Sequence, residues 1–146
     1  MKGQELSATI GFIFAKEGIF EEVNVNKLRF FPFMDRISNL YKDITYHNRT
    51  HAADLAQTFY HMTTVGEMGE KCGMDKFELM TYLLAAACHD VEHPGFNNNY
   101  LAETRHDFAN IYNDTAVLEN HHIATTFRVL GEDNGKYNIF EGFDRS

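Results

Sequence analysis

The stretch from Phe77 to Cys88, FELMTYLLAAAC, is apolar on nearly every side of a helix, and Pro94-Gly95 stops the chain soon after it. A helix without a polar face is stable in water only when other elements surround it. The rest of the chain therefore has to supply layers around this segment. Asp75, with Glu78 three positions on, gives the helix a start of capping-box type. The material for the layers is helical too: only two prolines occur, at 32 and 94, and apolar residues recur at three and four spacing while strand-like alternation is scarce. The fold class expected is all-α, a multi-helix bundle.

Other helices follow from the same periodicity. Leu6, Ile10, Ile13 and Phe14 share one face of a first helix that ends at Gly18. Leu28, Phe31, Met34, Ile37, Leu40, Tyr41 and Ile44 mark a second, in which Pro32 either sets the first turn or kinks the axis. From His47, the residues Leu55, Thr58, Phe59, Met62 and Val65 define a third. The three glycines between Gly66 and Gly73 read as a loop. Short helices are expected around Asn98 to Glu103 and Phe108 to Tyr112. A last one, capped by Asp114 or Thr115, runs through Val117, Leu118, His121, Ile123, Phe127 and Leu130 to Gly131. The final fifteen residues, EDNGKYNIFEGFDRS, have no helical period and read as the beginning of something unfinished.

Charge narrows the partners. The formal net charge is -8, and Lys and Arg are scattered singly, so no basic stripe is available to neutralise a nucleic-acid backbone. An anionic ligand would need bound cations to supply positive charge. No window is apolar for long enough to span a membrane, Cys72 and Cys88 lack the spacing of a redox or zinc motif, and Met1 to Gly18 has no signal-peptide pattern. These features lead to the expectation of a cytoplasmic protein with free thiols.

Cations have candidate ligands. CHDVEHPGFNNN, Cys88 to Asn99, crowds two histidines and two acids ahead of the proline. Its His89-Asp90-Val91-Glu92-His93 matches the H-x-x-E-H pattern of inverted zinc peptidases, in which Glu92 would be the base. Residues four apart share a helix face, so His47 with His51, and His89 with His93, form two potential metal half-sites. Imidazole and carboxylate suit zinc and borderline divalent ions, and the two oxygens of Asp90 could bridge a pair of them. Adjacent His89 and Asp90 point about 100° apart on a regular helix, a conflict that a helix end able to unwind at Pro94-Gly95 would relieve. Taken singly, each histidine reads as structural, and His61 and His106 stay so. The joint pattern of H-x-x-x-H, H-D-x-x-H and L-E-N-H-H is what points to a site. Of His121 and His122, at most one should face it.

The runs YHNRTHAADLAQTFYH, AACHDVEHPGFNN and YNDTAVLENHH resemble, in this order and at similar spacing, the class I 3',5'-cyclic-nucleotide phosphodiesterases. The similarity covers about Phe12 to Phe140. It implies the helical fold of that family's catalytic domain and hydrolysis of cAMP, cGMP or both to 5'-nucleoside monophosphates in signal transduction. It also implies that His47 is the general acid that protonates the leaving 3' oxygen, with Glu119 as the partner of its ring. His51, His89 and Asp90 would hold a first metal, zinc, and Asp90 would bridge to a second, magnesium or manganese. His93 is expected to bond water on that second ion, and Tyr46 and Asn98 to line the phosphate pocket. Asp54, seven after His47, is expected near the metals. The peptidase reading leaves YHNRTH and LENHH unexplained.

The two-cation arrangement has its own rationale. A phosphodiester is anionic and repels hydroxide, so cations that lower the pKa of a water and neutralise charge on phosphorus meet the main obstacle to attack. A ribose oxygen leaves readily only when protonated, and an imidazolium whose pKa is raised by a carboxylate suits that task.

The chain departs from the family in extent. Residues 1–146 are expected to be one partial catalytic domain, incomplete at the C-terminus, without the later aspartate of the metal site, the purine-binding glutamine and the hydrophobic clamp. The alternative expectation is a catalytically incompetent fragment that binds metal or acts as an interaction module, with self-association through apolar faces.

Overall fold

Residues 3–143 are described in a computed structural model of the chain, and among them the secondary structure is helical throughout. The α-helices are α1 (Glu5–Lys16), α2 (Ile19–Glu22), α3 (Lys27–Leu40), α4 (Arg49–Thr64), α5 (Met68–Cys72), α6 (Lys76–Cys88), α7 (Asn98–Glu103), α8 (Asp107–Ile111) and α9 (Val117–Gly131). The α4 helix lies between α1 and α6, α3 packs on α1 and reaches α9, and α9 lies against α6, α7 and α8.

The main core gathers Leu6, Ile10 and Phe14 of α1, Phe30, Met34 and Ile37 of α3, and Met80 and Leu83 of α6, all buried. Each such side chain contributes about 1.5–3 kcal/mol by leaving water. Ala52, Ala53 and Ala56 let α4 approach its neighbours closely. Gly11 serves the same end on α1, because a Cβ there would meet the Phe31 ring at 2.7 Å. A smaller cluster of Leu101, Ala109, Val117 and Leu118, with Phe108 and Tyr112 against it, joins α7 and α8 to the first turn of α9.

Several expectations change. Helix α3 starts at Lys27, capped by the Asn26 side chain, so Pro32 lies in its interior rather than in its first turn. The ring removes only the bond to the Leu28 carbonyl, at the exposed start of the helix where solvent can satisfy it. The glycine-rich 66–73 segment contains α5, begun by Glu67 and closed by Gly73, both left-handed. Neither Asp114 nor Thr115 caps α9; left-handed Ala116 precedes it without a side-chain cap. After α9, a 3₁₀-type turn at Glu132–Gly135 leads to buried Ile139, and Tyr137 and Phe143 pack on the main core, so this segment without helical period is docked on the bundle.

Helix α6 keeps the predicted capping box between Asp75 and Glu78. Its burial is one-sided, however. Leu79, Met80, Leu83 and Ala87 face the core, while Phe77, Thr81, Tyr82 and Ala85 are exposed. Together with Ile123, Phe127 and Leu130 of α9 and Phe140, the residues Thr81, Leu84 and Ala85 line an apolar groove of about 480 Å³.

Candidate metal centre

The C-terminal end of α6 is where the site forms, because the helix stops there with polar groups in hand. His89 is its C-cap, and residues 89–92 continue as a turn in which Glu92 adopts a left-handed φ of 63°. The unwinding that adjacent His89 and Asp90 need is thus present ahead of Pro94. Tyr41 holds the turn from below: its hydroxyl donates to the Ala87 carbonyl at 3.0 Å and accepts from the Asp90 N–H at 3.3 Å. Burial pushes the phenol's pKa up, which keeps it a neutral donor.

The second segment enters from the start of α4. Asn48 is its N-cap, accepting from the Thr50 and His51 N–H groups, and its amide donates to the Ile44 carbonyl. His51 is therefore in the first helical turn, whereas His47 precedes the helix. The two rings still meet, with centroids 5.9 Å apart, although they do not share a helix face.

Three ligand atoms converge. His51 Nε2 is 3.3 Å from His89 Nε2, and Asp90 Oδ2 is 2.9 Å from His89 Nε2 and 3.5 Å from His51 Nε2. An ion with tetrahedral bonds of ~2.0–2.1 Å would set its ligand atoms roughly 3.3 Å apart, so the triangle is of the right size and chemistry for zinc. The His89 Nδ1–H donates to the Ala86 carbonyl at 2.9 Å, which fixes the tautomer and aims the Nε2 lone pair inward. Burial lowers the His89 pKa, but the Asp90 carboxylate and the Ala86 carbonyl outweigh it, and the net shift is upward. Asp90 goes the other way: burial raises its pKa, and the His89 hydrogen bond more than reverses that. Burial and the neighbouring His89 hold His51 below its usual pKa, so it is neutral.

Asp90 also belongs to a second group. Asp90, His93 and His122 bring potential ligand atoms within 4.8 Å of one another. His122 Nε2 is 3.8 Å from Asp90 Oδ1, and its Nδ1–H donates to the Val91 carbonyl at 2.7 Å. Its Nε2 lone pair therefore faces the carboxylate. His93 is reversed, since its Nδ1 accepts from the Gly95 N–H at 3.0 Å and leaves Nε2–H as a donor. Burial, with the nearby His47, pushes the His93 pKa down to about 4. His47 stacks on His93 at 3.9 Å between centroids.

The remaining expected residues take the following places. Tyr46 is exposed, its ring 4.6 Å from His51 and 4.9 Å from His47. Asn98 ties the start of α7 to α9: Oδ1 accepts from the Leu118 N–H at 2.9 Å and Nδ2 donates to Glu119 Oε2 at 3.0 Å. Glu119's own backbone N–H and the Asn98 amide hold its carboxyl below the usual range. Among the described residues, Glu119 bonds Asn98 rather than His47. Asp54 is exposed and lines the groove between α1 and α4. His61 is exposed, and His106 caps α8 by accepting from the Phe108 N–H. Of the histidine pair on α9, His122 faces the site and His121 bonds Glu92. The signal for choosing was spacing from Glu119, because positions 119 and 122 share a face and 121 does not.

Comparison with known proteins finds relatives of the chain in sequence and in fold. The family model described as 3'5'-cyclic nucleotide phosphodiesterase matches residues 46–146. The Drosophila melanogaster protein named high affinity cAMP-specific and IBMX-insensitive 3',5'-cyclic phosphodiesterase 8 is 46% identical over 105 residues, which is 71% of this chain and 11% of that protein. The Plasmodium falciparum cGMP-specific 3',5'-cyclic phosphodiesterase alpha is 38% identical over 123 residues, 84% of this chain and 12% of that protein. The crystal structure of the phosphodiesterase domain of the RhoPDE fusion protein from the choanoflagellate Salpingoeca rosetta superposes with a TM-score of 0.84 at 27% identity. That match covers 99% of this chain and 44% of the solved one. The chain thus spans less than half the length of each of these relatives.

Proposed function

The chain belongs to the 3'5'-cyclic nucleotide phosphodiesterase family, and on that premise we propose that it contributes, as part of a single catalytic domain, the metal centre and general acid for hydrolysis of cAMP, cGMP or both. The observation that carries the proposal is the sharing of Asp90 between two groups of ligand atoms. One carboxylate with an oxygen toward each group is the arrangement a pair of cations about a phosphoryl group requires.

In this reading His51, His89 and Asp90 would hold the first ion, zinc, and Asp90 would be shared with the second, magnesium or manganese. When bound, the two ions supply Lewis acidity, which lowers the pKa of an attacking water and neutralises charge on phosphorus. The chain's own groups do the rest. His47 gives its proton to the departing 3' oxygen, and its stacking on His93 fixes the plane from which it does so. His93, with Nδ1 occupied by the Gly95 N–H, keeps Nε2–H as a donor that would be free to bond water at the second ion. Glu119, which here accepts from the Asn98 amide, is the carboxylate that would partner the His47 ring, and Tyr46 and Asn98 would border the phosphate. The Glu92 carboxylate bonds three groups of α9, which argues against its serving as the base of a peptidase.

The test is turnover of cAMP and cGMP by the recombinant chain with zinc and magnesium, beside His47→Ala. Removing a general acid costs roughly 10²–10⁴-fold, so the variant should fall by at least a hundredfold. Equal background in both proteins, with zinc bound, would overturn the catalytic reading and leave a metal-binding module.

A further inference from the structure

Glu92 stands between two residues of the site, yet the chemistry above gives it no role. Its carboxylate is held at three points, all on α9. Oε2 accepts from His121 Nε2 at 3.0 Å and from Thr125 Oγ1 at 3.1 Å, and Oε1 accepts from an Arg128 guanidinium nitrogen at 3.1 Å. Positions 121, 125 and 128 follow one another up a single helix face. His121 is neutral, because burial lowers its pKa against the pull of Glu92, so its Nε2–H is an ordinary donor. It is clamped from the side by Phe108, stacked at 3.7 Å. The chain of charges extends outward: Arg128 also bonds Glu132, and Glu132 takes both Nε and a terminal nitrogen of Arg36 on α3.

The backbone at Glu92 is left-handed, a conformation uncommon for a residue with a side chain. That φ reverses the chain between Asp90 and His93, so both can face one locus. The adjacent Val91 is fully buried and its carbonyl takes the His122 Nδ1–H. The turn is thus docked on α9 by a backbone bond at 91 and by three side-chain bonds at 92.

Resting on the reading of Asp90 as the bridging ligand, we propose that Glu92 is a positioning residue: its carboxylate, fastened to α9, holds the 90–93 turn in the geometry that binds divalent cations. The peptidase-like acid of the sequence pattern acts on the metals through the backbone. It sets where Asp90 points without touching an ion.

Cobalt(II) titration of the folded chain, followed by its visible absorption, tests this. Groups that orient metal ligands typically contribute 10–100-fold to affinity. Glu92→Gln, which removes the charge with little change of shape, should weaken Co²⁺ binding at least tenfold and alter the ligand-field spectrum while the helical circular dichroism is retained. A merely structural role would lower the melting temperature and leave affinity and spectrum alone. Folded Glu92→Gln binding within twofold of the unmodified chain would overturn the proposal. Should that variant not fold, Arg128→Gln at the half-exposed outer end decides: about threefold weaker binding supports the proposal, and unchanged binding overturns it. Failure of the unmodified chain to bind Co²⁺ would instead overturn the two-cation reading, and this inference with it.

Discussion

At the scale of single residues, the site is governed by which imidazole nitrogen carries the proton. His89 and His122 each spend Nδ1–H on a backbone carbonyl, of Ala86 and Val91, while His93 spends its Nδ1 lone pair on the Gly95 N–H. Two rings therefore offer lone pairs and one offers a proton. The consequence for pH follows from His89, whose pKa is raised chiefly by Asp90 against the opposing effect of burial. Below that raised pKa the imidazolium must lose its proton before a cation can bind, so apparent Co²⁺ affinity should fall by up to about tenfold per pH unit. Titrations from pH 8 down to pH 5 check this; an affinity independent of pH would contradict it. The sequence made the ligand candidates legible, because His51, His89, Asp90 and His93 stand in spaced motifs. It did not make the tautomers legible, since each depends on a carbonyl or N–H whose direction is set by the unwound end of α6. His122 was left open for the same reason, and the Asn98 to Glu119 bond depends on how α7 docks.

At the scale of elements, Glu17 joins three helices. At the end of α1 it accepts from Lys76 Nζ at 2.8 Å, at the start of α6, and from the Tyr60 hydroxyl of α4. The Lys76 hydrogen bond, then that of Tyr60, holds the carboxyl below its usual pKa. A carboxyl depressed on folding adds stability that is present above its unfolded pKa and lost as pH falls through the folded one. Glu17→Gln should therefore cost about 1 kcal/mol at neutral pH. The gap in melting temperature from the unmodified chain should narrow as pH falls from about 4 toward the depressed folded value; a gap that does not narrow as pH falls would refute the assignment. The elements themselves were well marked in the sequence where caps and periodicity agree, as in α6 with Asp75 and Glu78. They were poorly marked where a left-handed residue without a characteristic side chain begins a helix, as Ala116 does for α9. Helix α5 was hidden because glycines that read as loop instead close it.

At the scale of the whole molecule, burial of α6 on one side only leaves an apolar groove between α6 and α9 that ends at the metal centre. Ile123 and Phe127 are 59% and 65% exposed on its rim. Apolar surface of this kind binds hydrophobic partners or other copies of the chain. Phe127→Lys should lower 8-anilinonaphthalene-1-sulfonate fluorescence at least twofold and shift any self-association seen by sedimentation toward monomer, with cobalt binding unchanged. Dye binding equal to that of the unmodified chain would place the adhesive surface elsewhere. Among the described residues no helix is long and apolar enough to cross a membrane. The sharing of Asp90 has a further consequence. Two cations sharing one carboxylate would not be independent guests: each would change the partial charge of the oxygen offered to the other. Their affinities would be linked, and whatever factor the first ion imposed on the second, the second would return to the first.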